Sequence, residues 1–335
     1  MAEYSDSMLQ RLNTLIEMTK LINSSLDPAH VRQKVIEAAT RLLDAEAGSL
    51  LLFDPKTGEL FFEVALGEKG EEVKSIRLKP RVGIAGWVAQ HSRPVLSNDV
   101  RGDERFFSGV DEKSGFVTRS MICVPVMIKD RLIGVLEAIN KTEGAFTEDD
   151  VTILYALANQ VAIAIENARL YQAAITDGLT GLYQRTYFHT RLMEELDRAK
   201  RYNLPLSLAM VDVDFFKTVN DRHGHLAGDL VLERLAEALK KETRLSDIVA
   251  RYGGEEFGLI MPYVDNRNVS MIGERIRENV ERMDANGIRI TVSIGIAHYD
   301  GRKSDLGHET FIEAADGALY KAKNTGRNRV EIVSV

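Results

Sequence analysis

Arg251-Tyr252-Gly253-Gly254-Glu255-Glu256-Phe257 lies between two apolar segments that have the composition of β-strands. Ile248-Val249-Ala250 precedes this stretch, and Phe257-Gly258-Leu259-Ile260-Met261 continues from it. A glycine pair between two such segments predicts a β-hairpin, because glycine readily adopts the positive φ angles of tight turns. Two carboxylates beside a bare backbone suit a nucleotide triphosphate and its magnesium ion. Taken alone, the stretch also fits an ordinary exposed hairpin with a solvated acidic tip.

The composition of the 335-residue chain is that of a soluble globular protein long enough for two domains. Hydrophobic residues make up 44% and charged residues 28%, and the net charge of −7 argues against nucleic-acid binding, which depends on basic surface. The single cysteine, Cys123, cannot form an intramolecular disulfide, which predicts a cytoplasmic location. We recognise no signal peptide and no apolar run approaching the ~18 residues of a membrane helix, so we expect no membrane partner.

The N-terminal half is predicted to form two helices followed by an antiparallel sheet. Apolar residues at helical spacing place the first helix within residues 1–27, and Pro28 opens the second. A polar loop that holds a short helix start at 83–88 is expected from about 66 to 118, and strand-like segments lie at 49–53, 60–65, 121–129 and 131–140. Residues 28–165 resemble a GAF domain, which implies a sensor for a small molecule that the sequence does not name.

One spacing in this half is similar to part of a motif found in cyclic-nucleotide-binding GAF domains. Asn140, Lys141, Phe146 and Asp150 follow the motif, whereas Val151 stands at the position of its final glutamate. The alternative is that the polar residues before Val151 cap the next helix. This second interpretation is favoured over cyclic-nucleotide binding.

A linker helix without glycine or proline is predicted over residues 148–176. Its apolar positions alternate three and four apart, at Leu154, Leu157, Val161, Ala164, Ala168, Tyr171 and Ile175. Such a seam predicts a parallel coiled-coil homodimer, because a single amphipathic helix between two domains has little else to bury against. Packing on its own GAF sheet remains an alternative for the first half of the helix.

The C-terminal half, residues 177–335, contains four motifs in order, at 177–185, 212–229, 251–257 and 316–328. Together they resemble the motifs of GGDEF-domain diguanylate cyclases, in the GGEEF variant, with Gln184 in place of the more usual asparagine. The resemblance implies an α/β (α+β) palm fold like that of nucleotidyl cyclases and polymerases. It also implies that two GTP become cyclic di-GMP and two pyrophosphates, with two active sites facing each other in a homodimer.

A metal site is predicted where a buried strand ends. Asp212 lies at that end, and pairing of the strand with the hairpin would bring its carboxylate to Glu255. With the Val213 carbonyl, these groups suit Mg²⁺ or Mn²⁺. The resemblance makes Glu255 a metal ligand and proton acceptor, with Glu256 supporting the metal. Asp214 is a weaker candidate, more typical of a helix-capping or structural acid.

Phosphate-binding groups are expected on both sides of that strand end. The turn at Phe215, Phe216 and Lys217 would place backbone amides and an ammonium near phosphates, and Lys217 would stabilise the transition state. Lys323 and Arg327 are four residues apart, on one face if their helix persists. Two cations there would bind the β- and γ-phosphates.

The guanine base is expected between two polar side chains of the second motif. Asp229 can accept hydrogen bonds from N1 and N2 of guanine, and Asn220 offers a donor and an acceptor. His225 lies between them in sequence and would flank the base or the ribose. Gly253 and Gly254 would let the nucleotide approach the backbone of the hairpin.

A separate product-binding site is predicted just before the hairpin. Arg244 and Asp247 have the spacing of the RxxD inhibitory motif of the family, and Arg275 adds a second cation by resemblance in spacing. This site implies inhibition by cyclic di-GMP. Two alternatives to an active diguanylate cyclase are a catalytically weak receptor for cyclic di-GMP and a cyclase of altered base specificity.

Overall fold

The computed structural model describes residues 28–302 and 306–335, so the predicted helix within residues 1–27 lies outside the described residues. The chain forms two compact units that divide between Tyr171 and Gln172. Both are mixed α/β units, each built on one six-stranded sheet.

The first unit contains an antiparallel sheet with strand order β3-β2-β1-β6-β5-β4. Its strands are β1 Ala45–Phe53, β2 Leu60–Leu66, β3 Arg77–Leu78, β4 Val95–Ser97, β5 Met121–Ile128 and β6 Arg131–Lys141. Its helices are α1 Pro28–Leu42, α2 Gly70–Val73, α3 Gly83–His91, α4 Gly109–Ser114 and α5 Glu148–Ile175, with a 3₁₀ turn at Val100–Gly102. The predicted polar loop at 66–118 therefore contains short helices and strands.

Both faces of this sheet are apolar, because successive side chains of a strand point to opposite faces. Leu50, Ile122 and Leu136 pack with α1 and α5 on one face. Neighbouring side chains, such as Leu51 and Cys123, pack beneath α3 on the other.

The first half of α5 belongs to the core of the first unit. Leu154, Leu157 and Val161 are fully buried there, so this part of the predicted coiled-coil seam is covered by the chain itself. The alternative of packing on the GAF sheet is therefore the correct one for this half. Farther along, the side chains of Leu170 and Tyr171 are 53% and 44% exposed.

By length and composition, α5 is also apolar enough to cross a membrane. From the sequence we expected no apolar stretch near the length of a membrane helix. That expectation was wrong on composition alone, because a long, mostly apolar stretch follows the three acidic residues at the start of α5. A core helix of a soluble protein has the same composition, and the buried residues of α5 belong to such a core.

The second unit contains a sheet with strand order β12-β11-β8-β10-β9-β7. Its strands are β7 Tyr183–Gln184, β8 Leu206–Val213, β9 Ile248–Arg251, β10 Glu256–Pro262, β11 Val292–Tyr299 and β12 Val330–Ser334. Its helices are α6 Arg185–Tyr202, α7 Phe216–His223, α8 His225–Glu242, α9 Asn266–Arg282 and α10 His308–Asn324. β8 pairs antiparallel with both β10 and β11, and only the outer pairs β11–β12 and β7–β9 are parallel.

The central strand β8 separates two layers of helices. Ala209, Val211 and Val213 pack against α7, α8 and α9. Leu208 and Met210, on the other face, pack against α6 and α10. Asp212 shares this second face by the two-residue period of the strand, so its carboxylate points to the side of α10.

Candidate active site

The tip of the hairpin joins β9 to β10, as the glycine pair predicts. The amides of Tyr252 and Gly253 both donate to the Glu256 carbonyl, at 2.8 and 3.1 Å. The reason given for the glycines is wrong, however, because neither Gly253 nor Gly254 has a positive φ. A Cβ at Gly253 would lie 2.6 Å from Glu256 Oε2, and one at Gly254 would meet open space. Gly253 therefore allows a close approach of the Glu256 side chain, and Gly254 leaves open space at the tip, while neither glycine is required for its φ angle.

Arg251 holds the hairpin tip to the start of the second unit. Its guanidinium donates to the Gly254 carbonyl at 2.8 and 3.1 Å and to the Asp177 carboxylate at 3.2 Å. Asp177 also accepts from the amide and hydroxyl of Thr180, at 2.8 and 2.7 Å. Burial raises the pKa of Asp177, but these hydrogen bonds together leave that pKa below its ordinary value. Sequence reasoning assigned Arg251 no role, although it begins the quoted stretch.

The pairing of β8 with β10 brings the predicted metal ligands together. Asp212 is 6% exposed and lies opposite Glu256 in the register, and the Val213 amide donates to the Glu255 carbonyl at 3.3 Å. Burial raises the pKa of Asp212, although Lys323 opposes this effect. Burial, and then the charge of Asp212, raise the pKa of Glu255. These carboxylates repel one another in a partly desolvated site.

Such a donor set fits a hard divalent cation. The groups are oxygen ligands only, and a cation would relieve the repulsion between the carboxylates. Within residues 28–302 and 306–335, no three His, Cys, Asp or Glu side chains are already grouped to hold a metal ion. Magnesium commonly takes one or two carboxylates and completes its shell with water and substrate phosphates. Asp212 and Glu255 together offer that number of carboxylates.

Lys323 contacts the metal-site carboxylate directly. Its Nζ lies 2.7 Å from Asp212 Oδ2, and its side chain is 31% exposed. Gly295 on β11 makes this possible, because a Cβ there would lie 2.0 Å from the Leu319 amide nitrogen of α10. The glycine lets α10 lie against the sheet, which brings Lys323 to the end of β8.

Arg327 does not share a helix face with Lys323, contrary to the expectation. α10 ends at Asn324, and Gly326 and Arg327 follow with φ of 126° and 62°, so the helical repeat is lost. The Arg327 guanidinium instead lies 4.5 Å from the centre of the Phe215 ring. Phe215 itself has φ of 58° and is 63% exposed at the start of α7. Arg327 thus reaches the predicted phosphate-binding turn by another route.

The other two residues of that turn differ in environment. Phe216 is 7% exposed and packs in the core, whereas Lys217 is exposed. The backbone turn is therefore anchored by Phe216 while the Lys217 ammonium remains in solvent.

The predicted guanine-binding residues lie where α7 meets α8. Asn220 Oδ1 is buried without a hydrogen-bond partner among the described residues. A Cβ at Gly228 would lie 2.0 Å from this atom, so the glycine is what allows the amide to lie against α8. Asp229 is half-buried and His225 is exposed on the first turns of α8. The unpaired side-chain oxygen of Asn220 is therefore the atom with most to gain from a ligand that donates a hydrogen bond.

Asp214 has the contacts of a structural acid. It accepts from Ser293 Oγ and Thr291 Oγ1, both at 2.7 Å, and from the Asn328 amide at 3.0 Å. These bonds link β8, β11 and the segment after α10. They leave Asp214 committed to the fold rather than to a metal.

The predicted product-site residues line one surface cavity of about 400 Å³. Arg244 is exposed, and its amide donates to Asp247 Oδ2 at 2.7 Å. Burial raises the pKa of Asp247. Arg275, on α9, pairs with Glu242 at 2.5 Å. The structure therefore brings Arg244, Asp247 and Arg275 around one concavity.

The GAF-like spacing is occupied by a buried polar network. Asn140 accepts from the Arg119 amide at 2.7 Å and donates to the Val117 carbonyl at 2.9 Å. Lys141 pairs with Asp150 at 3.2 Å, and Asp150 accepts from the Thr147 amide at 3.0 Å at the start of α5. The contact between Thr147 and Asp150 is that of the helix-capping interpretation, whereas Asn140 and Lys141 join neighbouring segments of the same unit.

One carboxylate in the first unit was missed by sequence reasoning. Glu137 is 5% exposed on the central strand β6 and lines a cavity of about 100 Å³ beneath α2, α3 and α4. The signal was an acid within the apolar run from Leu132 to Ile139.

Comparison with known proteins gives the family of each half. Residues 174–329 match the family "Diguanylate cyclase, GGDEF domain", and residues 25–166 match the GAF domain family. Diguanylate cyclase A of Treponema denticola is 40% identical over 218 residues, which cover 62% of this chain and 58% of that protein. Diguanylate cyclase DgcP of Pseudomonas aeruginosa is 34% identical over 220 residues, covering 61% of this chain and 32% of that protein.

A solved structure matches the second unit. The coiled coil and GGDEF domain of DgcB from Caulobacter crescentus, in complex with c-di-GMP, aligns with a TM-score of 0.52 and 30% identity. The match covers 56% of this chain and 100% of that one. The chain spans 58% and 32% of the two curated relatives above.

Proposed function

We propose, from the premise that this chain belongs to the GGDEF-domain family of diguanylate cyclases and carries a GAF domain ahead of that domain, that it condenses two GTP into cyclic di-GMP and two pyrophosphates. The observation that carries the proposal is the meeting of Asp212 and Glu255 at the hairpin, beside Lys323. The same proposal places the chain in the cytoplasm, where GTP is made.

The metal site supports attack of a 3′-hydroxyl on an α-phosphorus. Asp212, Glu255 and the Val213 carbonyl would hold Mg²⁺ or Mn²⁺, with Glu256 beside them; the cation supplies charge neutralisation at the phosphates. Glu255 takes the proton of the attacking hydroxyl. The new bond joins the 3′-oxygen to the α-phosphorus, and the bond to the leaving pyrophosphate breaks.

The positive side chains orient the triphosphate. Lys323 already contacts the metal-site carboxylate, and Arg327 reaches the turn before α7, so both can meet phosphate oxygens. Lys217 stabilises the negative charge that develops on the oxygens bound to the reacting α-phosphorus. Gly253 and Gly254 leave room for the nucleotide at the hairpin.

Guanine selection rests on the junction of α7 and α8. The unpartnered side-chain oxygen of Asn220 and the Asp229 carboxylate can both accept hydrogen bonds from the guanine edge. His225 is close to them along the chain. Guanine donates hydrogen bonds from N1–H and from its N2 amino group, and a carboxylate can accept both. Adenine has neither of these donors. We therefore expect GTP rather than ATP as substrate.

A homodimer follows from the chemistry, because each catalytic unit holds one GTP and two must meet. The exposed apolar residues of α5, among them Ile163, Leu170 and Tyr171, offer surface for helix pairing. Regulation is proposed at two places: cyclic di-GMP at Arg244, Asp247 and Arg275, and a small-molecule ligand in the GAF unit.

Product formation from GTP tests the central proposal. The purified chain is incubated with GTP or ATP and Mg²⁺ or Mn²⁺, and products are separated by chromatography. Glu255→Gln should lower turnover by roughly 10²–10³, the usual loss of one electrostatic stabiliser. Glu278→Gln, a half-exposed carboxylate of α9, serves as the matched control. Normal turnover by Glu255→Gln would refute the assignment, and binding of cyclic di-GMP without synthesis would favour the receptor.

A further inference from the structure

A buried carboxyl in the wall of a cavity is the feature of the first unit that needs a chemical explanation. Glu137 is 5% exposed, and Ser49 Oγ donates to its Oε2 at 2.5 Å. The thiol of Cys123 on β5 also hydrogen-bonds to it, but a thiol is a weak donor. Burial raises the pKa of Glu137 to about 7, so the carboxyl is half-ionised near neutral pH. Burial of an ionised carboxyl without a paired cation is unfavourable for folding. Its presence here therefore points to a role other than stability.

The cavity around this carboxyl is apolar. Its wall includes Phe62, Leu78, Ile84, Phe106 and Val110. At about 100 Å³ it is smaller than the roughly 150 Å³ cavities that admit benzene, so it suits a ligand with fewer heavy atoms than the six of benzene.

The other titratable groups of the lining do not compete for a ligand. Both oxygens of Asp111 are engaged by Thr118, at 2.8 and 2.7 Å. Lys69 is the only cation lining the cavity within the described chain, and it is half-exposed and 3.7 Å from Glu72. The lining thus offers a negative, hydrogen-bond-accepting end and an apolar body, and it disfavours an anion.

We propose that this cavity binds a small aliphatic amine as its ammonium ion, through an ion pair with Glu137. The ammonium group has three N–H donors and no acceptor, which matches an ionised carboxylate that otherwise receives only a hydroxyl and a thiol. The alkyl portion would fill the apolar wall. This inference names a ligand for the GAF unit and does not depend on the catalytic activity of the other unit.

Three probes of one shape separate the chemistry of binding. Isobutylamine, isobutanol and isobutyrate are added in turn to the full chain, and thermal unfolding is followed by the fluorescence of Trp87, the only tryptophan and a residue of α3. A ligand that binds the folded unit raises its unfolding temperature, whatever the cyclase does. We expect the amine to act at concentrations where the alcohol acts weakly and the carboxylate does not act.

Two variants distinguish the ion pair from the cavity. Glu137→Gln should weaken isobutylamine binding by roughly 10- to 100-fold, the range of a charge-assisted hydrogen bond, with isobutanol unchanged. Ala65→Leu, which places a larger side chain in the cavity wall and leaves Glu137 itself unchanged, should abolish both. Equal binding of isobutyrate and isobutylamine, no response to any probe, or amine binding unaffected by Glu137→Gln would overturn the proposal.

Discussion

Glu137 and Asp212 are both buried acids on central strands, yet their surroundings differ. Asp212 is next to the last residue of β8, where Lys323 lies 2.7 Å away and Glu255 is close. Glu137 lies in the middle of β6, where its partners are the neutral Ser49 and Cys123. A strand end lets charged groups from several elements and solvent converge, which suits metal and phosphate. A strand centre admits only what fits between the sheet and its covering helices, which suits a small organic ligand.

The largest effect is expected from neutralising Asp212, the predicted metal ligand on β8. Asp212→Asn should lower cyclase turnover by about 10²–10³ while the unit remains folded, because it removes a charged stabiliser of the reaction. Turnover and circular-dichroism melting are measured on the same sample.

Asp214→Asn is the matched control, with the same change two residues away. It disturbs the bonds from Ser293, Thr291 and the Asn328 amide, so it should cost about 1–3 kcal/mol of unfolding free energy. If Asp212→Asn instead unfolds the chain, or Asp214→Asn melts normally with no turnover, the two roles are exchanged.

The pH dependence of stability tests the strand-centre environment. Glu137 has its pKa raised to about 7 from 4.5, so the stability it contributes is present below pH 4.5 and is lost as pH rises through about 7. Between pH 5.5 and 8.5 this loss is roughly 2 kcal/mol. The variant Glu137→Gln lacks it.

The measurement is denaturant unfolding at both pH values, followed by Trp87 fluorescence so that only the first unit reports. The difference in unfolding free energy between the parent and Glu137→Gln should therefore change with pH. A constant difference would mean that Glu137 does not change its ionisation between the two pH values, which would contradict the strand-centre environment described for it.

Sequence predicted most where one chemical pattern runs through consecutive residues. The buried strand that ends near Asp212 and the hairpin after Ile248 both form as expected. An apolar run that is followed by glycine or an acid is compatible with few structures other than a strand that ends at a turn. The structure placed Asp212 and Glu255 together for the same reason. Sequence spacing could not show that α10 stops at Asn324, because that depends on the left-handed backbone at the residues that follow.

The covering elements of the first unit were harder to predict. The helix start predicted at 83–88 forms as α3, but the other short helices within 66–118 depend on packing rather than on their own helical propensity, so the sequence predicted only a polar loop there. Glu137 was missed for the same reason. A single acid in an apolar strand is informative only when the elements that cover it are known.

The predicted product site is a third cluster of charged residues, and it is more exposed than the surroundings of Asp212 or Glu137. Arg244→Ala should weaken inhibition by cyclic di-GMP by roughly 10- to 100-fold, since a charge-assisted hydrogen bond contributes about 1.5–3 kcal/mol. The Km for GTP should stay nearly unchanged. Progress curves with added cyclic di-GMP decide the matter, with Arg234→Ala on the neighbouring helix α8 as control. If parent and Arg244→Ala slow at the same product concentration, the motif is only a surface turn.

The smallest effect is expected at Gly254 of the hairpin, where a substitution changes the space and the backbone freedom but no charge. Gly254 and Gly224 both face open space, but only Gly224 has a positive φ, of 84°. Gly254→Ala should therefore raise the unfolding free energy of the second unit by about 0.4–1 kcal/mol, because alanine restricts the unfolded chain. Gly224→Ala should lower it by about 1–2 kcal/mol, because alanine is strained in the left-handed region.

Thermal melting by circular dichroism measures both changes, and GTP titration adds a second readout. Gly254→Ala should weaken GTP binding although it stabilises the fold, because its methyl group would stand where the nucleotide approaches the backbone. A loss of stability like that of Gly224→Ala would mean that the turn does require glycine for its φ angle. Unchanged GTP binding would place the nucleotide away from Gly254, and the bare backbone would then serve only the side chain of Glu256 that lies against Gly253.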